Sequence, residues 1–166
     1  MCGIVGHLGT FNSLNIVLDG LEALEYRGYD SAGVSLIGTD NVILTRKKEG
    51  RLKNLRDCTS DIKGSYYVGI GHTRWATHGS VNEVNSHPHC GEGFSVVHNG
   101  IIENAGTLKE SLQKEGYAFS SETDTEVFVK LVDRELKNNV DIGKAITSSF
   151  KKIDGNNCIV VLHEKD

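Results

Sequence analysis

Proline, tryptophan and methionine each occur once in this 166-residue sequence. The four cysteines, at positions 2, 58, 90 and 158, show neither the CxxC spacing of metal sites nor the density of small disulfide-rich proteins. No apolar run approaches the ~20 residues of a membrane span, and no basic leader precedes an apolar stretch at the start. These absences predict a cytoplasmic protein without a disulfide framework, a membrane segment or a secretion signal.

Charge is nearly balanced, with 18 lysines and arginines, 22 aspartates and glutamates, and a net charge of -4. This balance gives no electrostatic reason to expect nucleic acid or a membrane as a partner. The basic stretch at 46–51 is short and interrupted by Glu49, as expected of a solvated face. The length and an apolar content of 38% suit one domain, spanning 1–166, with a substantial core.

Glycine, in contrast, is abundant, and its 19 copies predict tight turns and close backbone approaches. Apolar periodicity predicts a short helix near Arg51 and longer helices over 14–25, 105–115, 124–137 and 141–153. Apolar runs predict strands over 3–9, 34–37, 42–46, 68–72, 94–98 and 158–162. This order indicates an α+β or layered α/β fold. Because the last strand lies so close to residue 166, we expect its pairing strand to be missing.

Cys2 directly follows the initiator methionine in Met1-Cys2-Gly3-Ile4-Val5-Gly6. Since residue 2 is small, we expect an aminopeptidase to remove Met1 and leave a thiol and a free α-amine on one residue. An α-amine with a pKa of about 8 is partly unprotonated at neutral pH, so it supplies the base that a thiol nucleophile needs. The alternative is that Cys2 is a small buried residue opening a strand.

Three polar clusters follow predicted strands or open a predicted helix, where binding residues usually lie. Arg74 offers a planar fork for a carboxylate, the alternative being a surface salt bridge. Asn99 and Gly100 offer an amide and a backbone N–H to an oxyanion, the alternative being a hairpin turn. Asp124 offers an anion to an ammonium group. It also fits the first turn of a helix whose capping box runs from Thr123 to Glu126.

The segment His87-Pro88-His89-Cys90 suggests a metal site, but no second metal-spaced pair accompanies it. We therefore predict no metal and no cofactor. Taken singly, His72, His78 and His98 are more often hydrogen-bonded structural residues than catalytic ones.

Six motifs occur in order over residues 1–126: MCGIVG from Met1, EYRGYDSAG from Glu25, HTRWATHG from His72, NSHPH from Asn85, VHNGIIEN from Val97 and SETDTE from Ser121. Together they resemble class II glutamine amidotransferases, which use an N-terminal cysteine, and most of all the glutaminase domain of glucosamine-6-phosphate synthases. Amidophosphoribosyltransferases resemble the chain less, because a Gln-Glu-Ser-like stretch replaces Tyr29-Asp30-Ser31 in that group.

The resemblance implies an N-terminal-nucleophile hydrolase fold, an αββα sandwich, and hydrolysis of L-glutamine to glutamate and ammonia. It implies that Cys2 is the nucleophile and that Asn99 and the N–H of Gly100 hold the oxyanion. Arg74 would bind the α-carboxylate of glutamine and Asp124 its α-ammonium. The other implied positions are Trp75 as a cover that gates the ammonia exit, Thr77, His78 and His87 around the pocket, and Arg27 beside the N-terminus.

The resemblance also implies a longer enzyme, expected to be a homodimer, whose sugar-isomerase module uses the ammonia to convert fructose-6-phosphate to glucosamine-6-phosphate. Nothing in residues 1–166 resembles that module, so we expect a glutaminase domain that is incomplete at its C-terminal end. Two alternatives stay open. One is a non-catalytic glutamine-binding or interaction module, and the other is the glutaminase half of another class II amidotransferase, such as an amidophosphoribosyltransferase.

Overall fold

The computed structural model describes residues 2–75, 79–138 and 140–164. Over these ranges the strands are β1 (Gly3–Leu8), β2 (Ser31–Gly38), β3 (Ile43–Glu49), β4 (Tyr66–Arg74), β5 (His89–Gly91), β6 (Phe94–Gly100) and β7 (Asn157–His163). The α-helices are α1 (Ser13–Leu24), α2 (Leu52–Cys58), α3 (Ala105–Lys114), α4 (Asp124–Leu136) and α5 (Ile142–Phe150). A 3-10 helix at Glu25–Arg27 extends α1.

Side-chain caps fix the starts of three helices. The side chains of Asn12, Thr123 and Asp141 each accept a backbone N–H from the first turn of α1, α4 and α5. These bonds satisfy N–H groups that have no partner inside the helix. The predicted helices therefore form, and their ends either match the periodic pattern or shift from it by up to three residues.

The chain is built in four layers, as the hydrophobic clusters show. One cluster joins α1 and α2 to the first sheet through Leu18, Leu21 and Val34. A second cluster fills the space between the two sheets, with Ile70 and Val97 at its centre. The third cluster joins the second sheet to α3, α4 and α5. The expected αββα sandwich is confirmed, because each sheet buries one face on helices and the other on its partner sheet.

Both sheets are antiparallel. The first has the strand order β1-β4-β2-β3, and the second has the order β5-β6-β7. The expectation that the last strand lacks a partner is wrong, since β7 pairs with β6 along seven residues, with Val97 opposite Val160. Strand β5 was not predicted, because three residues are too few to give a periodic signal.

The alternation of side chains along a strand positions the polar cluster. Ile70 of β4 and Val97 of β6 point into the space between the sheets. Side chains two residues further along a strand lie on the same face. The pleat therefore turns His72 and Asn99 toward the facing sheet, at the end of the strands where Cys2 enters β1.

Gly33 allows a loop to cross the first sheet on its inner face. A Cβ added at this glycine would lie 2.2 Å from the carbonyl oxygen of His87, a backbone atom that cannot swing away. The absence of a side chain at Gly33 thus lets the segment before β5 approach the sheet and carry His87 into the space between the layers.

Across the described ranges, no helix is long and apolar enough to cross a bilayer.

Candidate functional site

A cavity of about 700 Å³ opens where β1 begins and where β4 and β6 end. Its lining residues come from distant parts of the chain, namely Cys2, Arg27, Arg74, Trp75, His87, His98, Asn99, Gly100, Ile101, Glu103, Thr123, Asp124, Thr125 and Asn156. The fold therefore brings together every sequence-predicted site residue that the structure describes. Thr77 and His78, also predicted, lie outside the described residues.

The thiol of Cys2 sits on the backbone of Trp75. The Trp75 N–H donates to Sγ at 3.2 Å, and Sγ lies 3.6 Å from the Trp75 carbonyl oxygen. Cys2 is half-buried and makes no disulfide. The alternative of a fully buried structural cysteine is wrong, because the sulfur faces a cavity and remains accessible.

Asn99 and Gly100 end β6 directly beside Cys2. The Nδ2 group of Asn99 donates to the carbonyl oxygen of Cys2 at 3.3 Å. Gly100 has a φ of 142° and pairs with Asn157 of β7, so the segment continues the strand. The hairpin alternative for Asn99-Gly100 is therefore wrong.

Arg74 is only 4% exposed, so the alternative of a surface salt bridge is wrong. Its guanidinium donates to the carbonyl oxygens of Ser80 at 3.2 Å and Gly79 at 3.4 Å. Glu122 accepts the N–H of Ser80 at 2.7 Å. These bonds tie Gly79 and Ser80 to Arg74 and Glu122, and Arg74 itself is a buried cation on the cavity wall.

Asp124 begins α4 and faces the cavity. One carboxylate oxygen accepts the N–H of Ile102 at 2.8 Å, and the other lies 3.9 Å from Nδ1 of His98. The carboxylate therefore ties the chain after β6 to the helix, which a role limited to the helix dipole does not require. The predicted capping box is corrected in one detail. Thr123 accepts the N–H of Glu126 at 3.4 Å, but the Glu126 carboxylate accepts from Ser120 and Ser121.

Thr125 connects two histidines behind the cavity wall. Its hydroxyl lies 2.9 Å from Nε2 of His87 and 2.9 Å from Nδ1 of His98. The other nitrogen of His98 contacts Oδ1 of Asn157 at 2.9 Å. His87 lies at the cavity, and the bridge joins the segment before β5 to β6, α4 and β7.

Burial keeps three neighbouring histidines neutral. The rings of His72 and His87 stack at 4.2 Å, and His89 meets His87 edge-on at 4.8 Å. Desolvation lowers the pKa of His72 to about 4 and that of His89 to about 3, and it lowers the pKa of His87 well below 6.5.

These shifts predict a steep loss of stability in mild acid. Below about pH 6.5 the unfolded chain protonates all three histidines, while the folded chain keeps them neutral, so acid favours unfolding. At pH 5 unfolding should take up close to three protons. The free energy of unfolding should therefore fall by about 4 kcal/mol for each unit by which the pH is lowered. Urea unfolding at pH 7, 6 and 5 measures this slope. The variant His89→Phe should take up about one proton fewer on unfolding, so its slope should be smaller. A free energy of unfolding that does not change with pH would contradict the assignment of neutral, buried histidines.

Trp75 and Arg27 line the cavity as predicted. The Trp75 ring is 47% exposed and meets the edge of Tyr29 with centroids 5.5 Å apart, so it forms part of the rim. Arg27 ends the 3-10 helix and lies half-buried next to the same opening.

The sequence analysis missed several lining residues. His98 and Thr125 lie within the VHNGIIEN and SETDTE motifs, but they form a bridge only because α4 packs against β6. Asn156 carried no local signal, because it reaches the cavity only through the β6–β7 register that sets Gly100 opposite Asn157. Among described residues, no group of three His, Cys, Asp or Glu side chains has a geometry that could hold a metal ion.

The arrangement combines a thiol, a buried cation, an anion and an amide donor around one opening. A ligand with a carboxylate, an ammonium group and a polar carbonyl would find a partner for each. Such a site rejects analogues that leave one of its buried polar groups without a partner.

The comparisons agree with this geometry. The profile of the family described as "Glutamine amidotransferase domain" matches residues 72–166. Two proteins named glutamine–fructose-6-phosphate aminotransferase (isomerizing) align over nearly the whole chain. That of Clostridium tetani is 51% identical over 164 residues, covering 98% of this chain, and that of Idiomarina loihiensis is 47% identical over 156 residues, covering 93%. The chain spans 26% of the length of each.

A solved glutamine phosphoribosylpyrophosphate amidotransferase from B. subtilis, complexed with ADP and GMP, superposes with a TM-score of 0.85 at 26% identity. The match covers 99% of this chain and 35% of that one. This likeness, with the four layers, confirms the expected N-terminal-nucleophile hydrolase fold. The chain therefore belongs to the family of class II glutamine amidotransferase domains.

Proposed function

We propose that this chain is a glutaminase domain that hydrolyses L-glutamine to glutamate and ammonia, once Met1 has been removed. The observation that carries the proposal is the placement of the Cys2 thiol and the Asn99 amide at one cavity, with Asn99 Nδ2 3.3 Å from the Cys2 carbonyl oxygen. A nucleophile and an oxyanion donor at adjacent strand ends are what acyl transfer requires.

The proposed reaction has two halves. The Cys2 sulfur attacks the side-chain amide carbon of glutamine, forming an S–C bond while the thiol proton passes to the α-amine. The C–N bond then breaks, the nitrogen takes that proton, and ammonia leaves behind a thioester. Water attacks the thioester carbon, the S–C bond breaks, glutamate leaves, and the sulfur regains a proton.

Substrate recognition follows from the charges at the opening. Arg74 pairs with the α-carboxylate of glutamine and Asp124 with its α-ammonium, so the amide end points to Cys2. We propose that His87 and Trp75 complete the pocket and that Arg27 supports the N-terminus. The roles of Thr77 and His78 in binding substrate remain a proposal from the resemblance. We propose these roles for residues 1–166.

The acceptor of the ammonia is proposed from the relatives alone. Both are named for transfer to fructose-6-phosphate, and both extend far beyond the matched quarter of their length. We propose that a sugar-isomerase module, in the same or a separate chain, receives the ammonia and forms glucosamine-6-phosphate. An exit path toward this module would begin at the exposed rim that Trp75 and Tyr29 form.

The Asn99→Ala variant tests the oxyanion role. Its kcat should fall by about 10²–10³-fold with little change in KM, because the lost hydrogen bond strengthens only as negative charge develops on the oxygen. Steady-state assays of glutamate release measure both constants. A higher KM with unchanged kcat would instead assign Asn99 to ground-state binding.

The proposal itself is tested with Met1-processed protein and L-glutamine. Glutamate and ammonia should form in equal amounts. Binding of glutamine without any turnover would reject the glutaminase and favour the glutamine-binding module. Adding a sugar-isomerase module with fructose-6-phosphate, and measuring glucosamine-6-phosphate, then tests the acceptor separately.

A further inference from the structure

His72 is a buried polar side chain to which the proposed chemistry assigns no role. It is 1% exposed, lies on β4 and points between the sheets. Its Nε2 atom is 3.0 Å from the carbonyl oxygen of His98 and 3.0 Å from Oδ1 of Asn99. Both neighbours are acceptors, so Nε2 must carry the proton.

The hydrogen bonds of Asn99 then admit one orientation of its amide. Oδ1 accepts from Nε2 of His72, and Nδ2 donates to the carbonyl oxygen of Cys2 at 3.3 Å. A flipped amide would set an oxygen against the Cys2 carbonyl and two N–H groups against each other at His72. If either hydrogen bond were lost, a polar group would remain without a partner, which is energetically unfavourable.

The other nitrogen of His72 supports this assignment. Nδ1 is buried and has no hydrogen-bond partner among the described residues, as suits an unprotonated atom beside the stacked ring of His87. Burial also lowers the pKa of the ring to about 4, so the ring stays neutral near pH 7.

We infer that His72 is a positioning residue that holds the Nδ2 group of Asn99 toward the reacting carbon, through a single fixed tautomer. This inference rests on the proposed glutaminase function. His72 does not touch the substrate, but it sets the orientation of the oxyanion donor. That orientation affects the rate because a preorganised donor does not have to reorganise during the reaction.

Two substitutions separate the positioning bond from simple packing. In His72→Gln the amide nitrogen occupies the region of Nε2 and keeps a donor for Asn99, whereas in His72→Asn the shorter side chain does not reach. We expect His72→Asn to lower kcat by about 30-fold with KM within about threefold, below the ~10²–10³-fold loss of the donor itself. His72→Gln should recover most of that loss.

A double-mutant cycle identifies the partner. In the Asn99→Ala background, His72→Asn should cause no further loss of kcat, because the group it aims is gone. Additive losses in the cycle would overturn the inference. So would equal losses of kcat in His72→Gln and His72→Asn, with matching losses of thermal stability.

A spectroscopic measurement tests the His72 tautomer independently of whether the protein hydrolyses glutamine. Nitrogen NMR of the His72 ring should show a proton on Nε2 and none on Nδ1, and the Asn99 amide signals should change in His72→Asn but much less in His72→Gln. A proton on Nδ1 would overturn the inference whether or not the protein turns over. Absence of wild-type glutamine hydrolysis, with the Nε2 tautomer present, would reject the proposed function alone.

Discussion

Replacing Cys2 with alanine should lower glutamine hydrolysis by about 10⁴-fold or more while glutamine still binds, because no other group can form the thioester. The substitution removes one sulfur at a half-buried position, so the fold should persist. Rapid assays of glutamate release give the rate, and calorimetry with L-glutamine gives the dissociation constant.

The matched control is Cys58→Ala, which removes a half-buried thiol at the far side of the first sheet, at the end of α2. Its activity should stay close to that of the wild type. Turnover preserved in Cys2→Ala would remove this residue from the mechanism, whatever its position at the cavity.

Replacing Asp124 with asparagine should lower kcat/KM for glutamine by about 100-fold, since removing one partner of a buried charge pair typically costs 2–5 kcal/mol. The asparagine keeps an oxygen that can accept the N–H of Ile102, now 2.8 Å from the carboxylate. The midpoint of thermal unfolding should therefore change little.

A substrate without the α-amine makes this prediction specific. Glutaric acid monoamide has the carboxylate and the side-chain amide of glutamine but no ammonium group. Wild type and Asp124→Asn should hydrolyse it at similar, slow rates. Unfolding of the variant, or an equal loss on both substrates, would show that Asp124 acts on the fold through Ile102 instead.

The four-layer fold could be predicted in outline because its helices and strands carry strong local signals. The apolar face of α1 and the runs of β2, β4 and β6 gave their positions within a few residues. The predicted start of α4 at Asp124 is confirmed, because its Thr123 cap is visible in the sequence, whereas α5 ends at Phe150, three residues before the predicted end. Local periodicity could not reveal β5, whose three residues form a strand only because β6 lies beside them.

The site residues were predictable where the chemical character of a single side chain indicates its role. Cys2, Arg74, Asn99 and Asp124 were named from their chemical character and motif, and all four line one cavity. The bridging and positioning residues were not predictable, because they act through contacts between segments that are far apart in the sequence. Thr125 matters through two histidines 27 and 38 residues away along the chain, and His72 through the register that faces β4 toward β6.

The central claim is that a freed N-terminal cysteine does the chemistry, and one comparison tests it most directly. The protein is prepared in two forms of the same sequence, one with Met1 removed and one with Met1 retained by inhibiting the methionine aminopeptidase during expression, and each form is verified by intact mass. The account predicts rapid glutamate release from the processed form and almost none from the retained form. Equal rates in both forms would contradict it.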